Sequence, residues 1–155
     1  LLDNGQVDFI ITNYPNSGLS NTQNVRMINE FHDVFVADRS HFPLEGKKLS
    51  LQDLQQYPIL MLDRKSTTSE FLHRMFQRSQ LDLVPEIELS SNDLLIDLAR
   101  IGLGIAFVPD FCIPKNEEQL YVLDLEESLP ARQMVVAYNE NLPISQSARQ
   151  FMDML

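Results

Sequence analysis

The chain has 155 residues, of which 44% are hydrophobic and 22% are charged. This composition is typical of a soluble globular protein of one domain or two small lobes, and it excludes a disordered tail. Asp and Glu number 22 against 12 Lys and Arg, which gives a net charge of −10 and a surface that repels nucleic-acid phosphates and anionic lipid.

The cysteine content and the apolar runs narrow the class further. Cys112 is the single cysteine, which excludes an internal disulfide and a metal site made of several thiolates and suits a reducing cytoplasm. The longest apolar stretch, Ile101–Pro109, is too short to span a bilayer, which takes about 20 residues. No membrane partner is therefore expected.

The N-terminal residues have the pattern of a helix end. Leu1 to Asn4 are followed by Gly5, a common helix stop, and then by the strand Val7–Thr12. A helix end without its beginning, and Leu1 in place of Met, predict that the chain is the C-terminal part of a longer protein. The turn-forming cluster Asn13–Gly18 then opens a long polar loop that runs to Asn24.

The next part of the chain is extended and then turns into a short helix. Strands are predicted at Val25–Ile28 and Val34–Ala37. Ser50 is the predicted N-cap of a short helix, and Asp53, three residues later, completes the capping pair. This helix ends near Tyr57.

Strands and helices alternate after Pro58. The strands are recognised by apolar runs or alternation and the helices by caps and helical spacing. The first three predicted elements are a strand at 59–62, a helix at 68–79 with a capping box at 67–70, and a strand at 84–89. A second helix follows, capped by Ser91 or Asn92 and ended by Gly102, with Leu94, Leu95, Leu98 and Ile101 facing a core. Strands at 104–108, 120–125 and 133–138 lead to a terminal helix capped by Ser145, with Ala148, Phe151, Met152 and Leu155 on one face.

This alternation with short connections predicts an α/β fold with a parallel or mixed sheet flanked by helices. Ligands of such sheets bind at the carboxyl ends of the strands, beside the N-termini of the following helices. The loops after Ile11, Leu62 and Leu89 are therefore the expected sites.

Catalytic and metal-binding patterns are weak. His32, His41 and His73 belong to no zinc or nucleophile motif and are interpreted as structural. The carboxylates of Asp63, Asp93, Asp97 and Asp110 could pair, but with 22 acidic residues chance proximity needs no further explanation. No catalytic residue, metal site or cofactor is predicted, and Cys112 is interpreted as a buried structural thiol, with redox sensing left open.

The glycines do not form a phosphate loop. Gly102-Leu103-Gly104 lacks the third glycine of a dinucleotide fingerprint and comes after a helix and before a strand, which is the reverse of the required order. It is interpreted as a helix stop that feeds a strand.

Hydroxyl side chains cluster where the strand 59–62 gives way to a helix. Arg64 to Ser69 hold two cations and four hydroxyls at that junction. Free backbone N–H groups and the helix dipole there favour a carboxylate, sulfate or phosphate. The residues alone also allow a simpler interpretation, in which Thr67 caps the helix and the other hydroxyls are solvated.

Three ordered segments resemble the effector-binding domain of LysR-type transcriptional regulators. The first is Leu1 to Ile11, with a helix end, a glycine and a strand with Asp8 in second place. The second runs from Asp33 to Ile59 and includes a His-Pro-Leu turn, in which Phe42 is inserted, and the helix entry Ser50-Leu51-Gln52-Asp53-Leu54. The most specific is Leu98 to Pro109, with its Gly-Leu-Gly-Ile-Ala core.

The resemblance implies a type 2 periplasmic-binding-protein-like fold, with two lobes joined by two crossover strands. By that analogy residues 1–37 and 133–155 form an incomplete first lobe and residues 38–132 form the second lobe. The family's N-terminal winged helix-turn-helix, linker helix and opening elements of the first lobe would precede this chain.

The same resemblance implies a ligand-sensing function. A small, anionic effector would bind between the lobes, touching Thr12 and Asn13 from the first and Ser66, Thr67 and Thr68 from the second, with Ser91 and Asn92 as further candidates. It implies a homo-oligomer, a dimer or a tetramer, in the cytoplasm, with DNA bound only through the missing N-terminal domain. The alternatives are an extracytoplasmic solute-binding protein of a transporter and, behind it, an enzyme on the same fold.

Overall fold

The computed structural model describes residues 2, 4–14, 19, 24–139 and 141–155. The contacts divide the chain into two compact units. We call Leu1–Phe31 with Ala131–Leu155 the first unit, and His32–Pro130 the second unit. The expected helix end at residues 1–5 and the loop from residue 13 to 24 lie partly outside the described residues.

The described elements alternate as the α/β prediction requires. In chain order they are β1 (Phe9–Tyr14), β2 (Asn24–Phe31), β3 (Asp33–Asp38), β4 (Lys48–Leu49), α1 (Leu51–Leu54), β5 (Ile59–Leu62), α2 (Thr67–Arg78), β6 (Ile87–Leu89), α3 (Asn92–Arg100), β7 (Ile105–Pro109), a 3₁₀ turn (Asp110–Cys112), β8 (Leu120–Val122), β9 (Asp124–Leu125), β10 (Arg132–Tyr138) and α4 (Gln146–Asp153).

The first unit contains an antiparallel sheet in the order β1-β10-β2. Its helix α4 is capped by Ser145, whose Oγ accepts a hydrogen bond from the Ala148 N–H at 3.1 Å, as predicted. Of the four residues expected on one buried face, Ala148 and Met152 are buried. Phe151 remains 45% exposed although its ring stacks on Phe9 at 5.4 Å.

The second unit contains a five-stranded mixed sheet in the order β6-β5-β7-β3-β8. β5 runs parallel to β6 and β7, whereas β3 runs antiparallel to β7 and β8. The apolar run Ile59–Leu62 predicted a strand covered on both faces, and the sheet does carry a core on each face. Leu72 and Phe76 of α2 pack on one face, and Leu95 and Ala99 of α3 belong to the core on the other.

Two glycines fix the passage from α3 into β7. Gly102 has φ +82°, the left-handed conformation of a helix stop, as predicted. At Gly104 an added Cβ would lie 2.5 Å from the Pro58 carbonyl oxygen, and that same oxygen accepts a hydrogen bond from the Ile105 N–H at 2.8 Å. Strands β5 and β7 therefore come together only because residue 104 lacks a side chain.

Three strand and boundary predictions differ from the structure. β1 starts and ends two residues later than predicted, because it pairs with β10 as far as Tyr14. The strand expected over 84–89 is limited to Ile87–Leu89, since only these residues pair with β5. The first boundary was expected after residue 37, but β3 lies wholly in the second unit because it pairs with β7 and β8.

The predicted core face of α3 is partly wrong. Leu94 and Ile101 are exposed at 46% and 64%, whereas Leu95, Ile96 and Ala99 are buried. Apolar residues occupy most positions of this helix, so that their spacing alone does not identify the buried stripe.

Candidate functional site

Two strand-to-helix junctions lie side by side at one edge of the second unit's sheet. Leu62 at the end of β5 is paired in parallel register with Leu89 at the end of β6. The Asp63 N–H donates to the Leu89 carbonyl at 2.9 Å, which ties the two junctions together. Helices α2 and α3 begin just after these strands, so both helix N-termini open at the carboxyl edge of the sheet.

The cap of α2 is Ser66, one residue earlier than the capping box predicted. Ser66 Oγ accepts a hydrogen bond from the Ser69 N–H at 3.0 Å, and Thr67 is the first residue of the helix. A tight turn at Asp63 determines where α2 begins. The Asp63 carboxylate accepts a hydrogen bond from the Lys65 N–H at 3.1 Å, and its carbonyl accepts one from the Ser66 N–H at 3.0 Å. Asp63 is thus a positioning residue that was considered in the sequence only as a paired carboxylate.

The hydroxyls of this junction differ in exposure. Ser66 and Thr67 are half-buried, but Thr68 is 2% exposed and Ser69 is fully buried. The Thr68 side chain is therefore packed into the protein and does not line the surface as expected. Ser69 Oγ is buried and has no hydrogen-bond partner among the described residues. That buried hydroxyl was not singled out in the sequence, because nothing distinguishes it from its three neighbours there.

Charges of both signs lie around the α2 N-terminus, with the carboxylates of Asp63 on the preceding turn and Glu70 in the first turn of the helix. Arg64 and Lys65 are exposed on the loop that leads into α2. Burial, followed by the nearby Arg64 cation, lowers the pKa of His73, while Glu88 opposes the shift. His73 is consequently neutral at pH 7.

The second junction carries Ser91 and Asn92. Ser91 caps α3, as one of the two predicted alternatives, with its Oγ accepting from the Leu94 N–H at 3.3 Å. Asn92 is the first helical residue and is half-buried, and its Oδ1 is buried without a hydrogen-bond partner among the residues described. The two side chains lie one strand away from the Ser66 junction.

Thr12 and Asn13 lie in the first unit and within β1, not in a loop after it. Thr12 is opposite Val135 and Asn13 is opposite Met134 of β10. Both are half-buried, and their role as effector contacts stays a prediction.

Two of the residues considered for catalysis, His41 and Asp97, lie in structural pairs. His41 Nδ1 is 2.5 Å from Asp38 Oδ2, and this hydrogen bond lowers the pKa of Asp38. Asp97 pairs with Arg100 at 2.7 Å. Across the part of the chain that the structure describes, no group of three or more His, Cys, Asp or Glu could hold a metal ion.

The thiol of Cys112 is half-buried near the second junction. Burial, together with the carboxylates of Asp93, Asp110 and Asp33, raises its pKa. It is therefore a thiol, and not the reactive thiolate, at neutral pH. Within the described residues, no helix is long and apolar enough to cross a membrane.

Comparison with known protein families identifies the family of this domain. Residues 1–155 match the LysR substrate binding domain. The chain belongs to this family. The resemblance stated from its ordered segments is thereby confirmed, and with it the periplasmic-binding-protein-like α/β fold of a domain that binds a small effector.

Relatives of this LysR domain are transcription regulators. It is 28% identical over 134 residues to the HTH-type transcriptional activator CmpR of a Synechocystis strain, covering 85% of this chain and 44% of CmpR. It is 25% identical to the RuBisCO operon transcriptional regulator of Allochromatium vinosum, covering 97% of this chain and 50% of the regulator. The chain thus spans about half the length of these curated relatives. They favour the regulator over the transport and enzyme alternatives.

Solved structures show the same fold. The Synechocystis CcmR regulatory domain, solved in complex with 2-PG, superposes with a TM-score of 0.85 at 23% identity, covering 99% of this chain and 74% of that one. The effector binding domain of QuiR, solved in complex with shikimate, superposes with a TM-score of 0.81 at 19% identity, covering 98% of this chain and 71% of that one.

Proposed function

We propose that this LysR domain senses a small anionic effector at the carboxyl edge of the second unit's sheet and thereby controls DNA binding by a separate N-terminal domain of its parent protein. The observation that carries the proposal is the pairing of Leu62 with Leu89, which brings the N-termini of α2 and α3 to one edge. Helix N-termini present unpaired N–H groups and a positive dipole end, both of which favour an anion.

The net charge of −10 opposes such a ligand only weakly at contact distance. Charges on the outer surface are screened over about 8 Å at physiological ionic strength. The N–H groups of Thr67 and Thr68 act within hydrogen-bond distance, and the cations of Arg64 and Lys65 stand on the same loop. The two nearby carboxylates are already engaged, Asp63 by the Lys65 N–H at 3.1 Å and Glu70 by Arg74 at 2.6 Å, so the local donors outweigh the acidic residues.

Each candidate residue has a distinct part in this proposal. Thr67 contributes its hydroxyl, and Ser66 contributes the proton of the hydroxyl whose oxygen caps α2. Thr68 contributes its backbone N–H, because its side chain is buried. Ser91 and Asn92 approach the effector from the neighbouring junction, and for Thr12 and Asn13 the contact rests on the family resemblance alone.

The ligands of the structural neighbours support an anionic effector. The QuiR domain was solved with shikimate, a compound that carries one carboxylate and several hydroxyls. A carboxylate of that size fits a junction of N–H donors and hydroxyls, so we take small carboxylates as the first class to test.

Calorimetric titration with shikimate, sulfate and a panel of small carboxylates tests the site. Thr67→Ala removes a ligand contact without removing the cap, and losing one hydrogen bond to a charged group lowers affinity by about 10- to 100-fold. Ser145→Ala is the stability control, because it removes the cap of α4 in the first unit and so shows whether destabilisation alone lowers affinity. This control is expected to lower the stability by about 1 kcal/mol and to leave affinity unchanged.

Two results would refute the site. One is an effector that binds wild type and Thr67→Ala equally well. The other is equal loss of affinity in Thr67→Ala and Ser145→Ala, because this would trace the loss to general destabilisation. Binding of none of the anions by wild type would refute the anionic class itself.

DNA binding, oligomer formation and a cytoplasmic location belong to the parent protein in this proposal. The isolated chain is expected not to shift duplex DNA at physiological salt, because its charge of −10 repels the phosphates. A sequence-dependent gel shift by this chain alone would contradict the proposal that another domain of the parent protein binds the DNA. Sedimentation equilibrium at high micromolar concentration tests whether the effector domain itself forms the homodimer.

A further inference from the structure

A cavity of about 480 Å³ opens in the second unit beside the start of β3. Its lining comes from β3, from Lys48 of β4 and from residues 123–129. The lining residues that the structure describes include none of the proposed effector contacts. The volume falls within the range of about 300 to 1,000 Å³ that small-molecule sites have.

The floor of the cavity is apolar and fixed. Phe35 and Leu123 are buried core residues, and Leu125 and Leu129 pack against the same core. The Leu123 N–H donates to the Phe35 carbonyl at 2.8 Å, so the two sides of the floor are held together by backbone. A floor of this kind accepts an apolar body without reorganising.

The rim of the cavity is acidic. Asp124, Glu126 and Glu127 are exposed, and Asp33 adds a buried carboxylate. Against these four carboxylates stand at most two cationic groups, the ammonium of Lys48 and the imidazole of His32. The rim is therefore negative overall, and the chain's net charge of −10 has the same sign.

The acidic rim is held in position by β4 and β9. Lys48 and Leu49 pair in parallel with Asp124 and Leu125, and the Glu126 N–H donates to the Leu49 carbonyl at 2.9 Å. The backbone that carries these carboxylates is thus fixed over the apolar floor.

We propose that this cavity binds a small organic cation, with its apolar body on the floor formed by Phe35, Leu123, Leu125 and Leu129 and its ammonium group against Glu126, Glu127 and Asp124. Charge complementarity favours this occupant over an anion or a neutral molecule. A bare divalent cation fits less well because, among the described residues, no three carboxylates are grouped so that they could hold a metal ion.

Methyl-detected NMR titration with benzylammonium tests the proposal. Benzyl alcohol and benzoate are the matched neutral and anionic probes, because they keep the ring and change only the charge. We expect benzylammonium to shift the methyl signals of Leu123, Leu125 and Leu129, and to bind more tightly than benzyl alcohol, with benzoate weakest. Added salt is expected to weaken benzylammonium binding and to leave benzyl alcohol unaffected.

Charge variants then locate the contact. Glu126→Gln and Glu127→Gln are each expected to weaken benzylammonium binding about two- to fivefold, as for partly exposed ion pairs. Glu86→Gln is the matched control, because Glu86 is exposed outside the cavity and its substitution changes the net charge equally. It is expected to leave the affinity unchanged.

Four outcomes would overturn the proposal. They are equal affinity for benzylammonium and benzyl alcohol, equal effects of Glu126→Gln and Glu86→Gln, the same methyl shifts with calcium chloride alone, and methyl shifts that grow with protein concentration in the absence of probe. The last two would assign the cavity to a metal ion or to a second copy of the chain. Since the cation and anion sites use different residues, failure here leaves the proposed effector site untouched.

Discussion

Replacing Gly102 by Ala tests the turn that ends α3. Gly102 has φ +82°, and a Cβ added there would come within 2.5 Å of three ring atoms of His41. Gly46 has nearly the same backbone conformation, with φ +78°, but an added Cβ meets nothing within 4 Å. The two substitutions therefore impose similar backbone strain, and only Gly102→Ala adds a steric overlap.

The expected difference follows from that overlap. A side chain in the left-handed region costs about 1–2 kcal/mol of stability, which is the expected loss for Gly46→Ala. Overpacking costs about 1–3 kcal/mol more. The His41 side chain is 55% exposed and has room to rotate away, so the added cost for Gly102→Ala is expected near the lower end, about 1 kcal/mol.

Urea unfolding followed by circular dichroism measures the difference between these variants. The double variant Gly102→Ala/His41→Ala is the internal control, since without the imidazole the cost of Gly102→Ala should fall to that of Gly46→Ala. Equal destabilisation by Gly102→Ala and Gly46→Ala would refute the reasoning. A Gly102→Ala cost that persists in the His41→Ala background would refute it as well.

Two further predictions concern titrating groups of the second unit. Hydrogen bonds from Arg100, one of them 2.6 Å long, hold the pKa of Glu117 below its ordinary value of 4.5. The ionised Glu117 therefore contributes its full stabilisation of the folded state above pH 4.5, and this contribution is lost as the pH falls through the lowered pKa. Glu117→Gln should flatten the pH dependence of the unfolding free energy in that acid range, and an unchanged slope would count against the pair. Because burial raises the pKa of Cys112, its reaction with a disulfide reagent at pH 8 should be slower than that of a cysteine peptide, and an equal rate would contradict the buried thiol.

The sequence predicted the order of the secondary-structure elements better than the residues at which they begin. Ser66, Thr67, Thr68 and Ser69 are all plausible caps, and propensity does not choose among them. Ser66 is the cap because the turn at Asp63 sets where α2 begins. That turn depends in part on the Asp63 N–H reaching Leu89 on the neighbouring strand, a contact distant in sequence.

Burial was harder to predict than secondary structure for the same reason. Leu94 and Leu95 are adjacent in sequence and equally apolar, yet only Leu95 faces the sheet. The cavity beside the start of β3 was also invisible in the sequence, because Phe35 and Leu129, which both line it, are distant in the chain. By contrast, the Gly102 stop and the Ser145 and Ser50 caps are local features, and the structure confirms them.

The division of the chain into units also bears on the order of folding. The second unit is one continuous segment, His32–Pro130, whereas the first unit is assembled from both ends of the chain. β10, the middle strand of the first unit's sheet, is made after the whole second unit, so on the ribosome β1 and β2 wait for their common partner. Closing a long loop costs entropy and slows folding. If the second unit folds first, the loop between β2 and β10 becomes effectively shorter, and the pairing of these two strands costs less entropy.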